Sequence, residues 1–109
     1  MSKSFEELAM VAFQIIASVG SARSCYIEAI QEAKQGDFER AQELIAEGDE
    51  MFLGGHNAHT DLVQAEAAGD PTTMCLMLTH AEDQLMSAEA FGILAKEFID
   101  VYKRLEPAA

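Results

Sequence analysis

Met74-Cys75-Leu76-Met77-Leu78-Thr79-His80-Ala81-Glu82-Asp83-Gln84-Leu85-Met86 is strongly apolar, helix-forming sequence with a few polar groups set into its middle. At about 100° per residue, His80, Asp83, Gln84 and Ser87 fall within one sector of a helix, as i, i+3, i+4 and i+7 neighbours do. Thr73, Leu76, Met77, Phe91 and Leu94 share that stripe. A second stripe, Met74, Leu78, Ala81, Leu85, Ala88, Gly92, Ala95 and Ile99, is small and aliphatic, and the third sector still carries Cys75, Met86, Ala90 and Ile93. A helix apolar all round is buried on more than one side. A short chain covers one side with its own helices, so the other is expected to meet a second subunit, with the His-Asp stripe in or beside that contact.

The chain around this stretch has 109 residues, enough for one domain with a core and no more. No run approaches the roughly 20 uninterrupted apolar residues of a membrane span, and Met1-Ser2-Lys3-Ser4-Phe5-Glu6-Glu7 turns acidic where a signal peptide is apolar. The expectation is a cytoplasmic protein without direct membrane insertion. A formal net charge of -12 argues against nucleic acid and anionic lipid, which need clustered Lys and Arg, and favours a partner with a basic docking face. Cys25 and Cys75 sit in apolar helical pattern without CxxC or zinc-ligand spacing, and read as buried reduced thiols.

Apolar residues recur at three- and four-residue steps from Phe5, through Leu8, Ala12, Ile15, Val19 and Tyr26, to about Lys34; the spacing predicts a helix over 4–34. Gly20 inside it reads as a close helix crossing that tolerates no side chain, with a kink that shapes a site as the alternative. Gly36-Asp37 marks a helix stop and a new N-cap. The second helix spans 38–68, its face formed by Ala41, Leu44, Ile45, Gly48, Phe52, Gly55, His59, Leu62 and Val63. His56 and His59 stand at i and i+3, but no carboxylate completes a helical metal motif and no Glu-x-x-His occurs. They read as packing and hydrogen bonding inside the bundle, and a di-iron carboxylate centre is disfavoured. Gly69-Asp70-Pro71 repeats the stop, cap and first-turn proline, so the third helix is expected over 71–105, with Lys103 and Arg104 opposing its negative end. These elements predict an all-α, antiparallel up-down-up three-helix bundle.

A carboxylate such as Asp83, if buried, requires a partner; protonated His80, a metal ion and symmetry mates are all candidates. Leu78-Thr79-His80-Ala81-Glu82-Asp83-Gln84-Leu85-Met86 resembles the active-site helix of the lactose/cellobiose-type enzyme IIA components of the bacterial phosphoenolpyruvate:sugar phosphotransferase system. The likeness extends collinearly through Gly20-Ser21-Ala22-Arg23-Ser24, Lys34-Gln35-Gly36-Asp37-Phe38, His56-Asn57-Ala58-His59-Thr60 with Asp61-Leu62-Val63-Gln64, and Tyr102-Lys103-Arg104. The resemblance implies a single IIA domain over 1–109, assembled as a homotrimer. It also implies phosphoryl acceptance by His80 from the phosphohistidine of HPr, and delivery to a cysteine of the cognate enzyme IIB during uptake of a β-linked disaccharide. It aligns Asp83 with an aspartate that meets its symmetry mates around a divalent cation, expected to be Mg2+.

The chemistry suits the residues. Neutral imidazole is a nitrogen nucleophile that titrates near physiological pH, and its N–P bond transfers onward readily. Met77 and Leu76 would form an apolar wall that limits hydrolysis, while Gln84 and Ser87 offer donors to phosphate oxygens. Two positions depart from the family's pattern, since Glu82 and Gln84 replace a glutamine and a second histidine; Gln84 donates hydrogen bonds but performs no acid-base chemistry. Glu82, about 160° from His80, is expected to matter little. His59 stands where the family often has glutamine, which favours a structural role. The competing readings are a two-component histidine phosphotransfer domain, which would place a lysine and glycine soon after its histidine, and a non-catalytic trimeric scaffold.

Overall fold

The computed structural model describes residues 3–107 and contains three α-helices, α1 (Phe5–Lys34), α2 (Phe38–Ala67) and α3 (Leu76–Leu105), in a rod 62 Å long and about 20 Å across. Ser4 and Glu7 close a reciprocal capping box at the start of α1. Asp37 caps α2 by accepting from the Arg40 amide at 3.1 Å. Both helix stops use a glycine in the left-handed region, Gly36 at φ 84° and Gly69 at φ 97°. At each, the next amide reaches back to a carbonyl of the last turn, Asp37 to Glu32 and Asp70 to Ala65.

α3 begins five residues later than the spacing predicts. Asp70 does not cap it and Pro71 does not open it; residues 70–75 are non-helical, and Cys75 stands at the N-cap with no side-chain hydrogen bond. Proline drives the residue before it out of the helical region, and the β-branched pair Thr72-Thr73 lowers helix propensity further. Cys75 is therefore a half-buried residue of the connection rather than a thiol inside a helix, and Cys25 is half-buried too. The chain's own burial pushes the Cys25 thiol up, with Glu47 and Glu28 adding to it.

α1 is the middle element. It packs along both other helices, whereas α2 and α3 meet sparsely. Leu8, near the start of α1, shares a cluster with Leu62 near the end of α2 and Leu78 near the start of α3; Ala33, at the other end, shares one with Ala41 and Ile99. This is the expected up-down-up order. The buried face of α3 is Leu78, Ala81, Leu85, Ala88, Gly92, Ala95 and Ile99, the small aliphatic stripe minus its first member. Among the described residues no polar or charged residue is buried. α1 is long and apolar enough, by length and composition, to cross a membrane, with a mean hydropathy of 1.4 over its most apolar 18 residues. Its apolar side chains divide between the core and an outward face that carries Met10, Phe13 and Ile27.

At mid-bundle the Tyr26 ring is held between two glycines. A Cβ on Gly48 would lie 2.7 Å from the ring and one on Gly92 3.0 Å from it. The Tyr26 hydroxyl donates to Asp49 at 2.7 Å, and Lys96 pairs with the other Asp49 oxygen at 3.3 Å, so one knot joins all three helices. Gly55 makes the next close approach: its amide donates to Ser18 Oγ at 2.9 Å, and that hydroxyl donates to the Met51 carbonyl. Gly20 behaves differently from the expectation of a close crossing, for nothing lies within 4 Å of a Cβ built there.

Candidate functional site

His80 lies on the second turn of α3, exposed, and its side chain forms no hydrogen bond or ion pair among the described residues. Asp83, one turn on, is likewise exposed, and its side chain has no partner among the described residues. The two do not bond to one another, so intrachain neutralisation of Asp83 by His80 is not what the fold provides; its carboxylate remains solvated in the single chain. Met77 is half-buried against the core, Leu76 is 85% exposed, and Ser87 is half-buried. Helical side chains lean toward the N-terminus, so His80 overlies the first turn, whose amides lack intrahelical partners and whose end of the dipole is positive.

Gln84 is tied down from α1. Arg23 Nη1 donates to its Oε1 at 2.7 Å across half-buried surface. Guanidinium only donates, so this contact orients the amide: the oxygen faces Arg23, and both N–H groups of the Gln84 amide remain available. No role for Arg23 follows from the sequence motifs alone. The available signal was that Arg23 is the one cation between Lys3 and Lys34, placed in the most apolar helix of an acidic chain.

Glu82 points elsewhere. It meets His59 Nε2 at 2.9 Å and bridges α2 to α3 away from the His80 stripe, which gives His59 the structural role expected and gives Glu82 one as well. His56 is exposed rather than inside the bundle, with its ring tilted against Phe52 at 5.9 Å between centroids. Among the described residues no three His, Cys, Asp or Glu side chains come together as a metal site within the chain.

A family model for the lactose/cellobiose-specific IIA subunit of the PTS system matches residues 10–103. The chain belongs to that family. It is 39% identical over 100 residues to the lichenan-specific phosphotransferase enzyme IIA component of Bacillus subtilis, covering 92% of this chain and 91% of that protein. The crystal structure of a cellobiose-specific enzyme IIA from Bacillus anthracis superposes with a TM-score of 0.87 at 41% identity, over 94% of this chain and 93% of that one. A solution structure of the IIA(Chitobiose)–HPr complex from the Escherichia coli N,N'-diacetylchitobiose branch superposes with a TM-score of 0.73 at 28% identity, over 93% of this chain and 98% of that chain. The IIA subunit described here is thus a phosphotransferase component with the three-helix fold of its relatives. Their sugars differ at comparable identity, so the likeness does not single out one disaccharide.

Proposed function

We propose that this IIA subunit is a phosphocarrier that accepts a phosphoryl group on His80 from phospho-HPr and passes it to a cysteine of a cognate enzyme IIB during sugar uptake, in the cytoplasm. The observation that carries the reading is His80 itself: an exposed imidazole without a partner among the described residues, on a helix that lies within the span matched by the family. A lone-pair nitrogen of neutral His80 attacks phosphorus in line. The N–P bond on the donor breaks with its electron pair returning to the donor imidazole, and the N–P bond on His80 forms. In the second step the IIB thiolate attacks the same phosphorus and His80 leaves with its electron pair. Met77 and Leu76 limit water at the site, and the Gln84 amide and the Ser87 hydroxyl are donors for phosphate oxygens. The uncapped start of α3 adds a favourable field for the dianion.

The proposed assembly is a homotrimer. Phe13 and Ile27 of α1 and Phe91, Leu94, Phe98, Val101 and Leu105 of α3 are exposed large apolar residues, more than a lone helical rod leaves uncovered without a partner surface. The apolar excess of α1 is assigned to this contact rather than to a membrane. Asp83 occupies the same outward side of α3, and its free carboxylate is a hard oxygen donor that fits a divalent cation such as Mg2+. One chain contributes one such ligand, so three Asp83 side chains would hold the ion at a threefold axis, where it would offset their mutual repulsion. Incubation with phosphoenolpyruvate, enzyme I and HPr tests the reading. Acid-labile phosphate mapped to His80 is the expected result, and absence of labelled phosphate, or label on another residue, rejects it.

A further inference from the structure

We infer that Arg23 is a positioning residue for the phosphoryl group on His80, acting through Gln84. The inference rests on the proposed role of His80. In a chain with 19 carboxylates and seven Lys or Arg, the other two arginines both sit on carboxylates, Arg40 on Glu43 and Glu47 and Arg104 on Asp100. Arg23 alone among them is placed against a neutral amide, and among the described residues that bond to Gln84 is its only side-chain polar contact. Its charge is therefore not neutralised, although acidic side chains are abundant.

The bond joins residues 61 positions apart, from α1 to the residue one turn beyond His80. Turning the Gln84 amide over would set its NH2 against the guanidinium, donor against donor, so Arg23 selects the orientation in which the amide N–H groups stay free for phosphate oxygens. A phosphoryl group arriving on His80 brings a dianion into a strongly acidic chain, one turn from Asp83. A half-buried guanidinium is screened less than a surface cation and offsets that charge from the α1 side. With glutamine at this position, the hydrogen bonding beside His80 also carries no titration of its own, so orientation persists across the pH range in which imidazoles change charge.

The test is a double-mutant cycle on phosphoryl transfer from phospho-HPr, run once wild-type labelling has been mapped to His80. Arg23→Gln and Gln84→Ala are each expected to lower kcat/KM about ten- to a hundredfold, the range of a hydrogen bond to a charged group. The loss falls on kcat with KM for HPr little changed, and the double variant is no worse than the poorer single one. Gln84→Glu is the discriminating variant: it gives Arg23 a carboxylate and removes the amide donors, so melting temperature holds or rises while kcat falls. Purely structural bracing predicts the opposite, with transfer preserved in Gln84→Glu, and that result overturns the inference. So do wild-type kcat in Arg23→Gln, or losses that add in the double variant. If wild-type protein takes no phosphate on His80, the proposed function has failed instead, a distinguishable outcome.

Discussion

Tyr26 and His80 sit on neighbouring helices of one bundle and are treated in opposite ways. Around Tyr26 each polar group is answered within the chain: the hydroxyl by Asp49, Asp49 by Lys96, the ring by the space two glycines leave. Burial, together with the Asp49 hydrogen bond, pushes the Tyr26 phenol well above its ordinary range. Along the outward side of α3, His80 and Asp83 have no intrachain partner, and Phe91, Leu94 and Phe98 are exposed. Groups that the chain satisfies by itself hold the fold; those it leaves unsatisfied are the ones available to partners.

If that division is right, the largest functional effect comes from a residue that holds nothing together. His80→Ala is expected to abolish phosphate acceptance from HPr while melting within a few degrees of the parent, because no side-chain hydrogen bond or ion pair among the described residues is lost and alanine is a good helix former. Labelling and thermal melts of the same preparation check both halves, and labelled phosphate in the variant would sink the assignment of His80. Next in size is the effect at Asp83, whose three copies would meet at the axis of the proposed trimer. Replacing a buried charge cluster by apolar side chains is often neutral or stabilising by about 1 to 4 kcal/mol, so Asp83→Leu should stay trimeric in a strong chelator while the parent dissociates more easily. Sedimentation with and without chelator decides this; a parent trimer indifferent to chelator removes the axial cation.

Both the buried stripe of α3 and the outward stripe of His80 and Asp83 were legible from periodicity; the pairings between helices were not. The small aliphatic stripe of α3 and the glycine stops at residues 36 and 69 follow from spacing and φ requirements that one chain can express. What spacing missed depends on through-space neighbours. Arg23 reaches Gln84 from another helix, and Glu82 finds His59 although its angle from His80 had marked it as idle. The start of α3 was misplaced because first-turn proline is a permissive signal, and the extended bias of Asp70 with the threonine pair outweighed it. Gly20 faces open space where a crossing is expected, because sequence does not distinguish a glycine that faces a neighbour from one that faces solvent.

That last contrast gives a paired stability test. At Gly48 a methyl meets the Tyr26 ring, which Gly92 blocks from the far side, so overpacking of about 1 to 3 kcal/mol outweighs a propensity gain near 1 kcal/mol. Gly48→Ala should lower the denaturation free energy by up to about 2 kcal/mol. Gly20→Ala, meeting nothing, should raise it by up to about 1 kcal/mol in the isolated chain. Equal effects at the two sites in urea melts would break the distinction between filled and open glycine positions.

Tyr26→Phe probes the same knot more gently, at about 0.5 to 1.5 kcal/mol for the lost hydrogen bond. Its sign with pH is fixed. The folded state raises the phenol's pKa, so near and above about pH 10 the unfolded chain loses the proton first. The stabilisation is complete below that pH and falls away progressively above it, as pH rises toward the raised folded-state pKa. The parent should therefore lose stability more steeply than the phenylalanine variant above about pH 10, and parallel slopes would place the phenol in water.

The smallest effect is expected at His59, and it tests where the site ends. His59 and Glu82 bridge α2 and α3, which otherwise meet sparsely, but Glu82 is 42% and His59 25% exposed at the side chain. A bridge so placed contributes about 0.2 to 1 kcal/mol at most and weakens with salt. Glutamine keeps an N–H donor for Glu82, so His59→Gln should cost only a few tenths of a kcal/mol and leave phosphoryl transfer at the parental rate. Glu82 neighbours Asp83 in sequence yet faces α2, so its bond to His59 keeps a further carboxylate away from the face where phosphate arrives. Should His59→Gln melt normally but transfer slowly, the Glu82 side of α3 belongs to the site too, and the line between satisfied and unsatisfied residues runs closer to α2 than His80 and Asp83 alone indicate.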